Sequence, residues 1–165
     1  MARALQSDWE TGREDTARLE QGDMTKRMTR EQIFLVQRSW RQLQPIANSV
    51  AELFYARLFS LDSGLQALFT SDMHEQRRKL MAIIGSVVSE LSRLERIAPA
   101  VQALGRRHVA YGVRDEHYAT VGSALLWALE RALGEAFTPD VKAAWLGAYR
   151  VLSQSMLDAA AQVPA

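Results

Sequence analysis

The chain contains 165 residues, enough for one domain with a substantial core but too few for a self-contained multidomain redox enzyme. Its 20 Lys and Arg residues nearly balance 19 Asp and Glu residues, which argues against nucleic-acid binding through bulk charge. The sequence has no cysteine, which excludes disulfides, thiolate metal sites and a cysteine nucleophile. Any metal must therefore be held by histidine or carboxylate side chains.

The hydropathy of the chain gives no sign of membrane insertion or export. No apolar run approaches the ~18 residues that a membrane-spanning helix needs. Residues 1–28 lack the continuous apolar segment of a signal peptide. We therefore expect a cytoplasmic protein without a membrane span.

The first part of the chain differs in composition from the rest. Residues 1–28 hold 9 hydrophobic and 11 charged residues, the latter of nearly balanced sign. Such a segment buries too little apolar surface to offset the entropy of ordering its backbone. We interpret residues 1–28 as an N-terminal extension, either flexible or bound to a partner, and residues 29–165 as the folded domain.

Helical periodicity begins directly after this extension. Thr29 and Gln32 have the spacing of a capping box, which predicts a helix that ends at Pro45. The next segment, residues 47–60, is apolar around much of its circumference. Because this pattern is typical of a helix packed on several sides, we expect the second helix to be central.

Two amphipathic stripes follow, and each predicts one long helix, the second of which ends at Gly112. The inward positions of the first stripe are Leu80, Ile84, Val87, Leu91 and Leu94, and those of the second are Ile97, Val101, Leu104, His108 and Tyr111.

Two further helices complete the pattern. Asp115 is placed to cap the first of them, and Gly134 is placed to end it. Thr138 followed by Pro139 is a start signal for the last helix. No strand-like alternation of useful length competes, so the sequence predicts an all-α fold of about six to eight helices.

No common enzyme motif is present: there is no Gly-rich phosphate loop, no H-E-x-x-H and no G-x-S-x-G. Polar residues on apolar helix faces are more informative, because an unpaired buried polar group costs about 1–3 kcal/mol. His108, Gln76 and Tyr55 are such residues. Each alone also has a structural interpretation: a core histidine or tyrosine bonded to a backbone carbonyl, or a glutamine at a solvated helix start.

Together these three residues favour a binding site. Two long helices, each with one polar residue on its inner face, could enclose a flat apolar ligand with a metal at its centre. His108 would supply the axial ligand to the metal. Gln76 and Tyr55 would form a hydrogen-bonding pocket on the opposite side.

The sequence resembles the globin family over roughly residues 29–156, and within it the bacterial flavohaemoglobins and single-domain haemoglobins. The match is specific because several blocks occur in the right order with the right spacing. These blocks are ELFYARLF at 52–59, ALF at 67–69, QRRKL at 76–80, LGRRHVAYGV at 104–113, EHYATVGSALLWAL at 116–129 and AFTPDVKAAWLGAY at 136–149.

The resemblance implies a globin fold around a pocket for haem b, which is iron protoporphyrin IX. His108 matches the proximal ligand of the iron, and Phe69 matches the phenylalanine stacked on the porphyrin. Tyr55 and Gln76 match the distal pair that stabilises bound oxygen. Leu80 matches the residue above the haem.

The resemblance also suggests roles for residues near the proximal ligand. Tyr118 matches a tyrosine beside the proximal histidine. Arg106 and Arg107 could pair with the haem propionates, since a guanidinium suits a carboxylate, or could be two exposed charges. His74 is interpreted as a solvated helix-start residue, and His117 as a residue at the surface or facing a propionate.

A haem protein of this branch is expected to bind small gases such as O₂, NO and CO. It is also expected to convert nitric oxide to nitrate, with electrons from a separate reductase because no flavin domain follows residue 165. An alternative is a haem-based gas sensor or a ligand-dependent interaction protein, in which the ligand state is read through residues 1–28 or through an oligomer. A haem-free interaction module would leave Tyr55, Gln76 and His108 without a shared purpose.

Overall fold

The computed structural model describes residues 28–164, so nearly all of the N-terminal extension lies outside the described residues. The described chain contains six α-helices and no β-strand, which confirms the all-α prediction. None of its helices has the length and apolar character that a bilayer crossing requires. The helices are α1 (Arg30–Leu43), α2 (Ala47–Leu61), α3 (Met73–Ser89), α4 (Ala98–Ala110), α5 (Asp115–Leu133) and α6 (Pro139–Ala161), and short 3₁₀ segments lie at Gln44–Ile46, Ser63–Leu68, Leu91–Arg96 and Gly134–Ala136.

Several predicted helix ends are confirmed. The Thr29 hydroxyl accepts a 3.1 Å hydrogen bond from the backbone N–H of Gln32, whose side-chain oxygen accepts a 3.0 Å bond from the N–H of Thr29. Thr138 caps α6 in the same way by accepting from the N–H of Val141 at 3.2 Å. Gly134 follows α5 with φ of 57°, a conformation that side chains disfavour.

The helices predicted from the two amphipathic stripes were only partly correct. Helix α3 ends at Ser89, and Leu91 and Leu94 lie in the following 3₁₀ segment instead of on the same helix. The chain turns at Arg93 (φ −143°, ψ 53°), and both leucines are buried in the core. Tyr111, which was assigned to the inner stripe of the next helix, follows the last residue of α4 and is 59% exposed.

The start of α5 also differs from the prediction. Asp115 is the first helical residue, and Arg114 occupies the capping position. The backbone N–H of Arg114 donates a 3.0 Å hydrogen bond to Nδ1 of His117, which is 7% exposed. The surface position predicted for His117 is therefore wrong, because this imidazole turns inward to satisfy a backbone donor at the helix start.

The main core lies where α1, α2, α5 and α6 meet. A polar link crosses it: the indole N–H of Trp145 donates to the Ser39 hydroxyl at 2.8 Å, and that hydroxyl donates to the carbonyl of Leu35 at 2.7 Å. The rings of Trp40 and Trp145 lie 6.4 Å apart. Both tryptophans are buried.

Helix α4 packs directly on α6, and a glycine permits the close approach. A Cβ atom added at Gly105 would lie 2.7 Å from Cα of Met156 and would also collide with the carbonyl oxygen of that residue. Because Gly105 lies one turn before His108, this contact sets the position of the candidate ligand relative to the core.

Candidate functional site

One side of the candidate site is an aromatic cluster between α2 and the segment that precedes α3. Tyr55 of α2 is buried, and its ring centroid lies 5.4 Å from that of Phe69 and 5.9 Å from that of Phe59. The rings of Phe59 and Phe69 meet edge to face at 5.6 Å. Leu80 of α3 is half-buried and packs against the same core. Phe69 thus lies beside Tyr55, and Leu80 packs against the core cluster that contains Tyr55.

The first turn of α3 brings a carboxamide to the phenol. Gln76 lies close enough to the Tyr55 hydroxyl to lower the pKa of the phenol, and its amide oxygen accepts a 3.3 Å hydrogen bond from the Ser71 hydroxyl. Burial raises the pKa of Tyr55, and this effect exceeds the opposing influences of Gln76 and of the positive charge on Arg77. The phenol therefore keeps its proton near neutral pH and can act as a hydrogen-bond donor.

The other side of the site is formed by the last turns of α4. Nδ1 of the half-buried His108 lies 2.8 Å from the carbonyl oxygen of Leu104. Because a carbonyl only accepts, Nδ1 carries the proton and Nε2 carries the lone pair. Burial lowers the pKa of His108, an effect that exceeds the opposing one of its bond to Leu104. The neutral imidazole has the tautomer that a metal ligand bound through Nε2 requires.

The turn after α4 ties His108 to the start of α5. The backbone N–H of Val113 donates a 3.0 Å hydrogen bond to the carbonyl of His108, across a turn in which Gly112 has φ of 88°. The Tyr118 ring centroid lies 6.4 Å from that of His108. The Tyr118 hydroxyl is buried and has no hydrogen-bond partner among residues 28–164.

The two sides belong to separate buried clusters. Tyr55 lies in the main core, whereas Tyr118 lies in a smaller cluster, against which Leu104 packs. The sides approach each other near the end of α4, where a Cβ added at Gly112 would lie 3.5 Å from a methyl carbon of Leu68. The fold therefore places the phenol and carboxamide in one cluster and the imidazole beside the other.

The remaining candidate residues lie at the surface. Arg106 and Arg107 are exposed on α4, next to His108 in sequence. His74 is exposed in the first turn of α3, where its backbone N–H donates to the Asp72 carboxylate at 3.3 Å. Its position agrees with the solvated helix-start residue that was predicted.

Sequence reasoning missed one residue of this region. Arg77 follows Gln76, is half-buried and acts electrostatically on Tyr55. Its Nε atom is buried and has no hydrogen-bond partner in the described part of the chain. The basic run at 77–79 is the only sequence signal for this residue, and such a run is more typical of a solvated helix face.

A family model described as Globin matches residues 52–156. The chain belongs to the globin family. The resemblance inferred from the sequence blocks is thereby confirmed, as is the fold that it implied.

Individual relatives align with most of the residues of this globin. Neuroglobin of Tetraodon nigroviridis is 32% identical over 136 residues, which cover 74% of this chain and 86% of that protein. The flavohemoprotein of Bacillus subtilis (strain 168) is 30% identical over 118 residues, 70% of this chain but only 30% of that protein. A solved bacterial globin from Campylobacter jejuni is similar with a TM-score of 0.72 and 26% identity, over 81% of this chain and 97% of that one.

Proposed function

We propose that this globin binds haem b and, through it, reversibly binds O₂, NO and CO. One observation carries the proposal: Nδ1 of His108 is engaged by the carbonyl of Leu104, so Nε2 is the nitrogen available to a metal. The tautomer that a porphyrin iron needs is thus present without any rearrangement of the chain.

The other residues near the site fit a haem group. The Phe69 ring and the Leu80 side chain offer apolar surface to a flat macrocycle, and the Tyr118 hydroxyl is a buried donor whose partner is not among the described residues. Arg106 and Arg107 are exposed beside His108, where guanidinium groups can pair with propionates. The donor set of one neutral imidazole matches an iron whose remaining ligands come largely from the porphyrin.

The chemistry that haem supplies is an iron at which a diatomic gas binds. The chain contributes hydrogen-bond donors on the gas side. Burial raises the pKa of Tyr55, so its hydroxyl stays protonated, and Gln76 supplies a carboxamide close to it. A charged or partly charged acceptor strengthens such bonds about twofold, so these donors favour retention of oxygen over carbon monoxide.

Nitric oxide dioxygenation is the reaction that we propose for the reduced protein. Its balance is one nitric oxide, one dioxygen and one electron giving one nitrate. The proposal is supported by the similarity to the Bacillus subtilis flavohemoprotein, of which this chain spans 30%. We propose that a separate reductase delivers the electron.

Absorption spectra of the purified protein in the ferric, ferrous and carbonyl forms test the haem proposal. We expect a Soret band in each form and its loss in His108→Ala, which removes the imidazole. The matched control is His74→Ala, because His74 is exposed on α3 and should not affect haem retention. A wild-type protein without a Soret band after haem addition would contradict the proposal.

Mixing the oxygenated protein with nitric oxide tests the reaction separately. We expect the oxygenated spectrum to disappear rapidly with formation of about one nitrate per haem. Continued turnover should require an added reductase and its electron donor. Persistence of the oxygenated spectrum would remove the dioxygenase proposal and leave haem and gas binding unaffected.

A further inference from the structure

Two positive charges lie against one indole ring where α2 packs on α5. The guanidinium carbon of Arg57 on α2 is 5.2 Å from the centroid of the Trp127 ring, and that of Arg131 on α5 is 5.0 Å from it. Trp127 is half-buried and Arg131 is exposed, so solvent reaches this place. We call these three side chains the arginine–tryptophan surface.

The arginine–tryptophan surface is separate from the candidate haem site. Arg57 follows Tyr55 by two positions on α2, which corresponds to about 200° around an α-helix. Tyr55 is buried against Phe59 and Phe69, on the side of α2 that faces the core. Arg57 therefore projects from nearly the opposite side of the same helix.

Neither arginine of this surface is neutralised within residues 28–164, where the ion pairs join Arg78 to Glu75 and Arg114 to Glu116. Contact with the indole helps to hold each guanidinium in place, because the negative face of an aromatic ring attracts a cation. A guanidinium held in this way is preorganised for carboxylates, which match its planar set of donors. The surface therefore fits a partner that presents at least two carboxylates.

The chain itself contains a segment with this chemistry. Residues 8–23, which precede the described part of the chain, hold six acidic and two basic side chains. Glu14 and Asp15 are adjacent, and Trp9 and Leu19 supply apolar groups on either side of them. The net charge of this segment is opposite to that of the arginine–tryptophan surface, and its apolar residues suit contact with the exposed part of the indole.

The length of the chain permits the contact. Asp15 precedes Met28 by 13 positions, and Met28 is buried in the main core. An extended chain of 13 residues spans up to about 45 Å. A folded domain of this size has a radius of gyration of only about 14 Å, so Glu14 and Asp15 can reach the arginine–tryptophan surface from the start of α1.

We propose that residues 8–23 dock on the arginine–tryptophan surface of the same chain, with the carboxylates of Glu14 and Asp15 paired to Arg57 and Arg131. The N-terminal extension is thereby held on the outer side of α2. This docking does not depend on haem binding, so its test is separate from those of the proposed function.

Limited trypsin digestion of the full-length protein tests this inference, with cleavage after Arg18 followed by mass spectrometry. A docked segment is protected, because proteases cleave exposed and mobile backbone. We expect Arg57→Gln/Arg131→Gln to be cleaved roughly fivefold faster than the wild type, as the loss of two partly exposed ion pairs predicts. The matched control is Arg38→Gln/Arg41→Gln, which removes the same charge from exposed positions on α1 and should leave the rate unchanged.

A second variant changes the segment and leaves residues 28–164 intact. Glu14→Gln/Asp15→Asn should raise the rate of cleavage after Arg18 by a similar factor. Combining all four substitutions should give no further increase, because both double variants remove the same contact.

Three outcomes would overturn the inference. Equal cleavage rates in the wild type and in Arg57→Gln/Arg131→Gln would leave the surface to a separate acidic partner. Rate increases that multiply when the four substitutions are combined would mean that the two sets of residues act independently. Protection that grows with protein concentration would assign the docking to a second copy of the chain.

Discussion

The hydroxyl group of Tyr149 on α6 donates a 2.5 Å hydrogen bond to the carbonyl oxygen of Tyr118 on α5. Burial raises the pKa of Tyr149, so the hydroxyl remains protonated and continues to donate. Because the Tyr118 ring lies 6.4 Å from that of His108, the bond connects the core to the neighbour of the candidate ligand.

Replacement of Tyr149 by phenylalanine should therefore destabilise the protein while preserving its ring packing. We expect Tyr149→Phe to lower the free energy of unfolding by about 1 kcal/mol, the usual net contribution of a neutral hydrogen bond. Urea denaturation followed by circular dichroism measures the change. Tyr111→Phe is the control, because Tyr111 is 59% exposed, and the prediction is contradicted if both variants match the wild type.

Alanine substitutions at two helical glycines should change the stability of the protein in opposite directions. Gly105→Ala would force a Cβ into the Met156 backbone, so we expect a loss of about 1–3 kcal/mol in the free energy of unfolding. The Cβ of Gly147→Ala would meet no atom of residues 28–164 within 4 Å, so this variant should gain up to ~1 kcal/mol from helix propensity. Equal shifts of the urea midpoint in the same direction would refute this explanation of Gly105.

The inward orientation of His117 predicts a stabilising role at the start of α5. His117→Ala removes the acceptor for the Arg114 N–H, and loss of a helix-capping bond costs about 0.5–2 kcal/mol. Thermal unfolding of the apoprotein should show a lower midpoint. His74→Ala, at an exposed helix start, should leave the midpoint unchanged, and a similar midpoint for both variants would argue against the cap.

The buried phenol predicts a kinetic effect on the bound gas. Tyr55→Phe keeps the aromatic contacts with Phe69 but removes a donor, so folding should change little. We expect the oxygen dissociation rate constant to rise roughly tenfold or more, because a hydrogen bond to a charged acceptor contributes about 1.5–3 kcal/mol. Stopped-flow displacement of oxygen by carbon monoxide measures it. An unchanged rate constant would mean that Gln76 holds the ligand instead.

Predictions from local sequence signals were largely correct. The capping box at Thr29, the Thr138 and Pro139 start signal and the termination at Gly134 are confirmed, because each depends on residues only a few positions apart. Errors arose where distant packing decided the outcome. Leu91 and Leu94, for example, leave the helical path to reach the core. His117 is a different case, because its imidazole accepts a local hydrogen bond from the N–H of Arg114, three residues earlier.

The sequence by itself determined the all-α class and the globin family, since helix periodicity, capping residues and motif spacing are all properties of the linear chain. Only the tertiary structure decided that Tyr55 is buried against Phe59 and Phe69, that burial raises its pKa, and that Nε of Arg77 is buried without a partner among residues 28–164. Hydrogen bonding across helices and burial of charge depend on which segments pack together, and a pattern within one helix does not contain that information.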